Sequence, residues 1–268
     1  MSSAIALQDT MDQFILTRKQ TESDEHVETC FELLAEYLLH YSDLFQEEYE
    51  EPDAEQLAAW EESLEEYVDQ MINGDHEGAV ELGSLPVDYF DPEHLRDFIG
   101  WFLLREPGID SLELIAFGDI LRDWLQFIHR KGWISDERHV LFTAVFKEMM
   151  PDAIRAVKAA RLLLHYVRLG RGISPRMRGK RFSRFVEGHA RVESLRKKQI
   201  NLRFDNLDES IGPVMLPEEI TKHLQLGDVL DIELGLREKH WVIVDIGPVY
   251  PFDIYMEADA YDIPEKLS

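Results

Sequence analysis

Cysteine is almost absent from this chain of 268 residues, in which Cys30 is the only example. One cysteine cannot form an intramolecular disulfide, and it cannot supply a zinc site built from several thiolates. The first residues carry no basic leader before an apolar run, and no stretch approaches the roughly 18 apolar residues that span a bilayer. These absences predict a soluble cytoplasmic protein with no membrane partner.

Sequence motifs for common chemistries are also lacking. The chain contains no GxxxxGK[ST] phosphate loop, no GxGxxG after a strand and no GxSxG nucleophile elbow. The ten histidines are scattered, without HExxH or a repeated Glu-x-x-His. Cys30 lies at helical spacing beside Phe31 and Leu34, which indicates a small buried side chain rather than a catalytic thiol. We therefore expect no catalytic residue, no metal and no cofactor.

Positive charge is missing from a long stretch of the chain. No Lys or Arg occurs between Lys19 and Arg96, whereas 24 acidic residues do. Residues 1–154 carry a net charge of −27, residues 155–198 carry +12 and residues 199–268 carry −10, within a total of −25. Charge separated in this way predicts an interaction surface, or a pairing of opposite surfaces within the chain.

Apolar residues recur at steps of three and four through the first part of the sequence, which predicts about six helices. The predicted helices begin at Asp91-Pro92, at a Ser111 cap and at Ser135, and Gly132 ends the one before Ser135. Pro151 is expected to restart the last helix. Two further helices, strongly acidic, are predicted over residues 24–45 and 54–72.

After Lys198 the apolar period falls to two, which is typical of strands. The predicted strands are "INLRF", "GPVML", "VLDIEL" and "WVIVDI", with one short helix from Pro217 to Leu224. The fold class is therefore α+β, an N-terminal all-α helical bundle followed by a small β-rich, barrel-like C-terminal domain. Its predicted parts are an acidic helical domain (1–169), a basic connector of a loop and then an amphipathic helix (170–198), and a small β domain (199–268).

Aromatic residues concentrate in two consecutive predicted helices, where they line either a ligand pocket or the core. Interleaved leucine and isoleucine at helical spacing favours the core. The residues concerned are Trp101, Phe102, Phe117, Trp124, Phe127 and Trp133.

The basic connector is the strongest candidate for an interaction site. Residues 171–198 hold ten Lys or Arg and only two acids, Glu187 and Glu193. Glycine and proline in its first half predict an exposed loop, and apolar residues at steps of three or four from Phe182 to Leu195 predict the amphipathic helix. The candidate contact residues are Arg171, Arg176, Arg178, Lys180, Arg181, Phe182, Arg184, Phe185, Arg191, Lys197 and Lys198.

Three partners suit this connector. Arg and Lys neutralise phosphates and phenylalanine stacks on unpaired bases, so one partner is RNA or another single-stranded nucleic acid. A second is the chain's own acidic helices within residues 24–72, and a third is an acidic partner protein. The cis docking surface would be Glu61, Glu62, Glu65 and Glu66. We expect a non-enzymatic interaction or adaptor protein; the alternative is an enzyme whose inter-domain site has no linear motif.

Overall fold

The structure, a computed structural model, describes residues 5–19, 25–42, 82–173, 179–204, 207 and 209–251. A helical N-terminal part is followed by a five-stranded sheet, so the predicted α+β class is confirmed. Several sequence predictions lie outside the described residues. They are the acidic helix over 54–72 with Glu61, Glu62, Glu65 and Glu66, and the candidate contacts Arg176 and Arg178.

Six helices form the described part of the N-terminal half. A π-helical turn, Phe98–Phe102, joins the third helix to the fourth, and 3-10 turns cover Leu82–Ser84 and Val87–Tyr89. The helices are α1 (Leu7–Lys19), α2 (Glu25–His40), α3 (Pro92–Asp97), α4 (Leu103–Arg105), α5 (Ser111–Arg130) and α6 (Asp136–Arg168).

Local capping signals explain where these helices begin and end. Asp91 caps α3 as predicted, accepting the His94 amide at 2.9 Å while its own amide donates to the His94 ring. The cap of α5 is Asp110 and not Ser111, because the Asp110 carboxylate accepts the first free amides and Ser111 is already helical. Gly132 follows α5 with φ of 72°, the left-handed conformation that the predicted stop requires.

α6 is one continuous helix of 33 residues from its Ser135 cap, so the predicted restart at Pro151 is wrong. Proline removes one helical hydrogen bond, but close packing on α5 holds the helix together across it. Met149 and Met150 are buried beside Pro151, and a Cβ at Gly118 of α5 would lie 2.5 Å from the Met150 methyl carbon. The packing energy of this contact outweighs the local preference for a break.

The aromatic residues of α3 to α5 form the helical core, as predicted. Trp124 is fully buried, with its ring centroid 5.6 Å from that of Phe31 and 5.5 Å from that of Phe90. Phe102, Phe117 and Phe127 are buried too, and Trp101 and Trp133 pack against the cluster. Cys30 is buried in the same core, as its spacing predicted, and burial raises the pKa of its thiol.

The sheet contains the four predicted strands and a fifth that the sequence analysis assigned to a helix. The strands pair in the order β1-β2-β3-β5-β4, and β4 also pairs with β1. Only one parallel pair, Val214 with Trp241, connects β3 to β5, and barrel-like closure stays a prediction. The elements are β1 (Arg184–Arg196), β2 (Gln199–Phe204), β3 (Ser210–Met215), α7 (Glu218–Thr221), β4 (Val229–Arg237) and β5 (His240–Tyr250).

β1 replaces the amphipathic helix predicted in the basic connector, and that prediction is wrong. Val186, Ala190 and Val192 are buried at even spacing, which is the period of a strand. Gly188 sits in the same row without a side chain, so the apolar alternation is interrupted in the sequence. β1 pairs with β2 along one edge and with β4 along the other, which supplies the hydrogen bonds a helix would have made internally.

A buried ion pair joins α6 to the sheet. The Arg155 guanidinium donates to both carboxylate oxygens of Asp228, at 2.6 and 2.8 Å, and to the carbonyl of His223 at 3.0 Å. The backbone amide of Gln225 also donates to Asp228, at 2.7 Å, and Asp152 contacts Arg155 from the same helix. α6 therefore packs against the sheet in a fixed position, beside β5.

Within the described ranges, no helix has the length and apolarity needed to cross a bilayer.

Candidate nucleic-acid interface

Two aromatic residues of the basic connector meet on the outer face of the sheet. Phe182 precedes β1 and Phe185 lies in its second position, and their ring centroids are 4.9 Å apart. The Phe185 side chain is 54% exposed. Among the described residues, it is the one aromatic side chain in the set of large apolar side chains that are exposed.

β4 holds Phe182 in place. Phe185 pairs with Gly235 across the two strands, and a Cβ at Gly235 would lie 2.5 Å from two carbons of the Phe182 ring. The missing side chain lets this ring lie directly on the β4 backbone. Arg237, two residues further on, places its guanidinium carbon 3.9 Å from the Phe182 centroid, a close cation–π contact.

Sequence reasoning identified Phe182 and Phe185 and missed Gly235 and Arg237. The two pairs are about 50 residues apart in the chain, and only the register of β1 against β4 brings them together. No local signal in the sequence marks Gly235 as a platform for a ring. A correct strand assignment for β1 would have been the first step toward finding it.

Three cationic residues, Lys180, Arg181 and Arg184, are neighbours of the two phenylalanines in the sequence, and Arg237 is the cation that contacts a ring. Arg184 belongs to the row of β1 that contains Val186, and its guanidinium carbon lies 5.8 Å from the centroid of the Trp241 ring. The Lys180 ammonium lies 3.2 Å from Glu238, and the Arg184 guanidinium lies 2.6 Å from Glu209. Arg181 is exposed and forms no ion pair with any described residue. Exposed pairs of this kind contribute only about 0–1 kcal/mol, so phosphates can replace their carboxylates at low cost. We call Lys180–Phe185 of the connector, together with Arg237, the aromatic–arginine surface.

The remaining predicted contacts lie elsewhere. Arg191 is half-buried in the middle of β1, across from Arg203, which pairs with Glu193. Hydrogen bonds from Ser210 and Arg203 lower the pKa of the Glu193 carboxyl. Lys197 and Lys198 form the turn between β1 and β2, at the far end of β1.

Four predicted basic contacts lie outside the aromatic–arginine surface: Arg191, Lys197 and Lys198 along the sheet, and Arg171 after α6. Lys197 is paired with Glu218 at 3.1 Å, and Arg171 is exposed just beyond the end of α6. The connector is therefore not a single continuous cationic face in the described part of the chain.

Titratable groups do not gather into a catalytic or metal-binding set in the ranges described. No three side chains of His, Cys, Asp or Glu come close enough there to hold a metal ion. The most compact group is a histidine pair, His129 and His139, whose rings stack at 4.3 Å between centroids. The His129 Nε2 lies 2.7 Å from a carboxylate oxygen of Asp136. Because His129 is near the end of α5 and Asp136 begins α6, this hydrogen bond joins the ends of two helices.

Comparison with known proteins gave no family model, no curated protein and no solved structure that matches the chain.

Proposed function

We propose that this protein is a non-enzymatic interaction protein that binds single-stranded nucleic acid through the aromatic–arginine surface. The observation that carries the proposal is the exposed ring of Phe185, fixed against Phe182, which itself contacts the Arg237 guanidinium. Lys180, Arg181 and Arg184 are next to the two rings in the sequence. Single-strand binders combine these two features, since aromatic rings stack on bases and Arg or Lys neutralises phosphates.

Stacking depends on how firmly a ring is held. Phe182 contacts the Gly235 backbone and the Arg237 guanidinium, and it supports Phe185 from the side. A base that stacks on Phe185 therefore gains a contact without ordering the protein first, which reduces the entropic cost of binding. The arginine plane at Arg237 offers a second flat surface of the same kind.

Phosphates would contact the cations near the rings. From Arg171 to Arg184 the sequence contains no acid, in a chain of net charge −25, although Glu238 and Glu209 pair with two of the cations near the rings. The acidic remainder of the protein repels nucleic acid. Binding is therefore directed to one surface, and it is expected to be strongly dependent on salt.

Charge alone does not account for this surface. Docking of the connector on the acidic helices predicted within residues 24–72, or on an acidic partner protein, requires cations but does not by itself require an exposed aromatic ring. A single-stranded nucleic acid would use both the cations and the exposed ring. This difference is the reason for preferring nucleic acid, and it also separates the alternatives experimentally.

The connectivity of the sheet gives secondary support. The strand order, the parallel contact of β3 with β5 and the helix between β3 and β4 follow the pattern of OB-type domains, which bind oligonucleotides and oligosaccharides. This is an analogy of connectivity, and a fold does not define a ligand. The aromatic–arginine surface lies on β1 and β4, whereas OB-type domains use the face of their second and third strands.

The experiment is a binding titration of a fluorescent single-stranded oligonucleotide with the full chain and with Phe185→Ala. We expect the variant to bind more weakly by about 1–3 kcal/mol, because each stacked base contributes roughly that much. The dependence of affinity on salt should stay unchanged, since no phosphate contact is removed.

Met215→Ala is the matched control. Met215 is also a large exposed apolar residue of the sheet, 53% accessible, but it pairs with Gln199 at the far end of β1. Its truncation should leave affinity unaltered. Equal affinities for the wild type, Phe185→Ala and Met215→Ala would refute a stacking role for Phe185 and leave phosphate neutralisation alone as the basis of binding.

A further inference from the structure

A cavity of about 500 Å³ lies where α6, the segment after α4 and β5 come together. Its size falls in the range of small-molecule sites, which often form where two parts of a protein meet. Apolar side chains from all three elements make up much of its wall: Leu104, Ile109, Val157, Leu164 and Ile246. The cavity shares no residue with the aromatic–arginine surface.

Three arginines line the same cavity, Arg105, Arg161 and Arg168. Among the residues described, none of the three forms an ion pair with a carboxylate, whereas Arg96, Arg138 and Arg155 each do. Their positive charge is therefore not neutralised within the described part of the protein. An unneutralised cluster of guanidinium groups beside apolar walls favours an anion.

The protein holds two of these arginines in defined positions. Arg161 donates through Nε and Nη2 to the carbonyls of Ile109 and Pro107, at distances from 2.7 to 3.3 Å. The Arg105 guanidinium carbon lies 4.4 Å from the centroid of the Trp101 ring, so its donor edge stays open. Arg168 is exposed and lies about two helical turns beyond Arg161 in α6.

Acidic residues of the wall only partly offset this charge. Asp245 accepts the backbone amide of Ile246 at 2.9 Å, and Glu106 follows Arg105 directly. Burial, together with the neighbouring charge of Glu36, raises the pKa of the Glu106 carboxyl. The lining side chains carry three guanidinium groups and two carboxylates, so guanidinium groups outnumber carboxylates in the wall itself, while the carboxylate of Asp231 lies beside Gly247 of the same wall.

We propose that this cavity binds a small organic anion with an apolar body. The anionic group, a carboxylate, sulfonate or phosphate, would contact Arg105 and Arg168, with Arg161 as the fixed donor between them on α6. The apolar body would lie against Leu104, Val157 and Leu164. The apolar wall is the reason to expect an organic anion, since an inorganic ion would leave that surface uncovered.

The probe is 1-anilinonaphthalene-8-sulfonate, which joins one sulfonate to an apolar aromatic body and fluoresces when it leaves water. We expect saturable binding of one probe molecule to the full chain. The double variant Arg105→Gln/Arg168→Gln should bind about a hundredfold more weakly, because it loses two charge-assisted hydrogen bonds at roughly tenfold each. Both side chains are exposed and make no hydrogen bond to a described residue, and an unchanged melting temperature verifies that the variant folds.

Two comparisons make the result decisive. Arg171→Gln removes an exposed arginine that does not line the cavity, and it should bind the probe as the wild type does. N-phenyl-1-naphthylamine lacks the sulfonate, so the wild type and the double variant should bind it equally. The absence of saturable binding, or equal affinity of the double variant and the wild type for the sulfonate, would overturn the proposal, the second result because the probe then sits elsewhere.

Discussion

Arg155 and Asp228 are the residues on which the junction between helices and sheet depends most. The Asp228 side chain is 1% exposed, and three donated hydrogen bonds of 2.6 to 2.8 Å satisfy its carboxylate. Burial raises the pKa of this carboxyl, while Arg155 and the Gln225 amide act in the opposite direction. These close donors favour the ionised form of the carboxylate and so oppose the effect of burial.

Removing the two partners one at a time should give unequal results. Arg155→Met leaves a buried carboxylate without its guanidinium, and we expect a loss of about 3–5 kcal/mol in the free energy of unfolding. Asp228→Ala should cost less, because Arg155 keeps Asp152 at 3.0 Å and is more exposed. Urea denaturation measures both, with Arg122→Met as control, since Arg122 pairs with Asp119 on the surface.

The sign of the pH effect in Arg155→Met follows from the buried carboxylate. Without Arg155 the folded state binds the Asp228 proton more tightly than the unfolded chain does, so lowering the pH toward about 5 stabilises the variant relative to the wild type. A loss of stability in Arg155→Met that is no larger than in Arg122→Met would show that Asp228 gains little from this pair.

At the scale of elements, the sequence predicted correctly those helix ends that depend only on contacts between neighbouring residues. Asp91, Ser135 and Gly132 cap or end helices through contacts within a few residues, so their roles could be predicted. Pro151 and the residues of β1 could not, because distant contacts decide them. Pro151 is held by the packing of α6 on α5, and β1 by hydrogen bonds to two other strands.

The misassigned strand shows how two periods can coincide. Phe182, Phe185 and His189 are three and four residues apart, as on one face of a helix, yet Phe185 and His189 both point outward from a strand. The inward row of β1 alternates correctly, but Gly188 and Ala190 add little apolar signal to it. The pairing of Phe182 with Gly235 and Arg237 depended on this register, and therefore half of the candidate site was hidden from sequence reasoning.

The junction between α5 and α6 contains a pair of histidines that is expected to respond to pH. Partial burial and the neighbouring His129 lower the pKa of His139, and Asp136 offsets part of this effect. The folded state then binds this proton less tightly than the unfolded chain. The contribution of neutral His139 to stability is present above the pKa of about 6.5 that histidine has in the unfolded chain, and it is lost as the pH falls below that value.

His139→Gln should remove this dependence. We expect the thermal midpoint of the wild type to fall more than that of the variant when the pH is lowered from about 7.5 to about 5.5. His240→Gln, an exposed histidine at the start of β5, serves as the comparison and should follow the wild type. Identical profiles for all three proteins would show that the stacked rings do not couple protonation to folding.

At the scale of the whole molecule, the positive charge is concentrated in residues 155–198 of the chain, and the fold distributes these basic residues over separate locations. Arg155 is used in the junction, Arg161 and Arg168 line the cavity, and Lys180, Arg181 and Arg184 are next to the two rings in the sequence. The sequence carries a concentrated positive charge over residues 155–198, and the interaction site was predicted within the connector, residues 170–198, alone. The structure assigns these basic residues to three places because helix α6 ends before the sheet begins.

The most direct test of the central claim is the affinity of the full chain for a labelled single strand, measured at several salt concentrations from about 50 mM upward. If about four phosphates are neutralised at once, log affinity against log salt should have a slope near −3, at roughly −0.7 for each phosphate. Arg181→Glu should make that slope less steep and weaken binding to every sequence tested, because phosphate contacts carry no sequence information. No binding by the wild type at about 50 mM salt would contradict the account and return the basic connector to a role in charge pairing with an acidic surface.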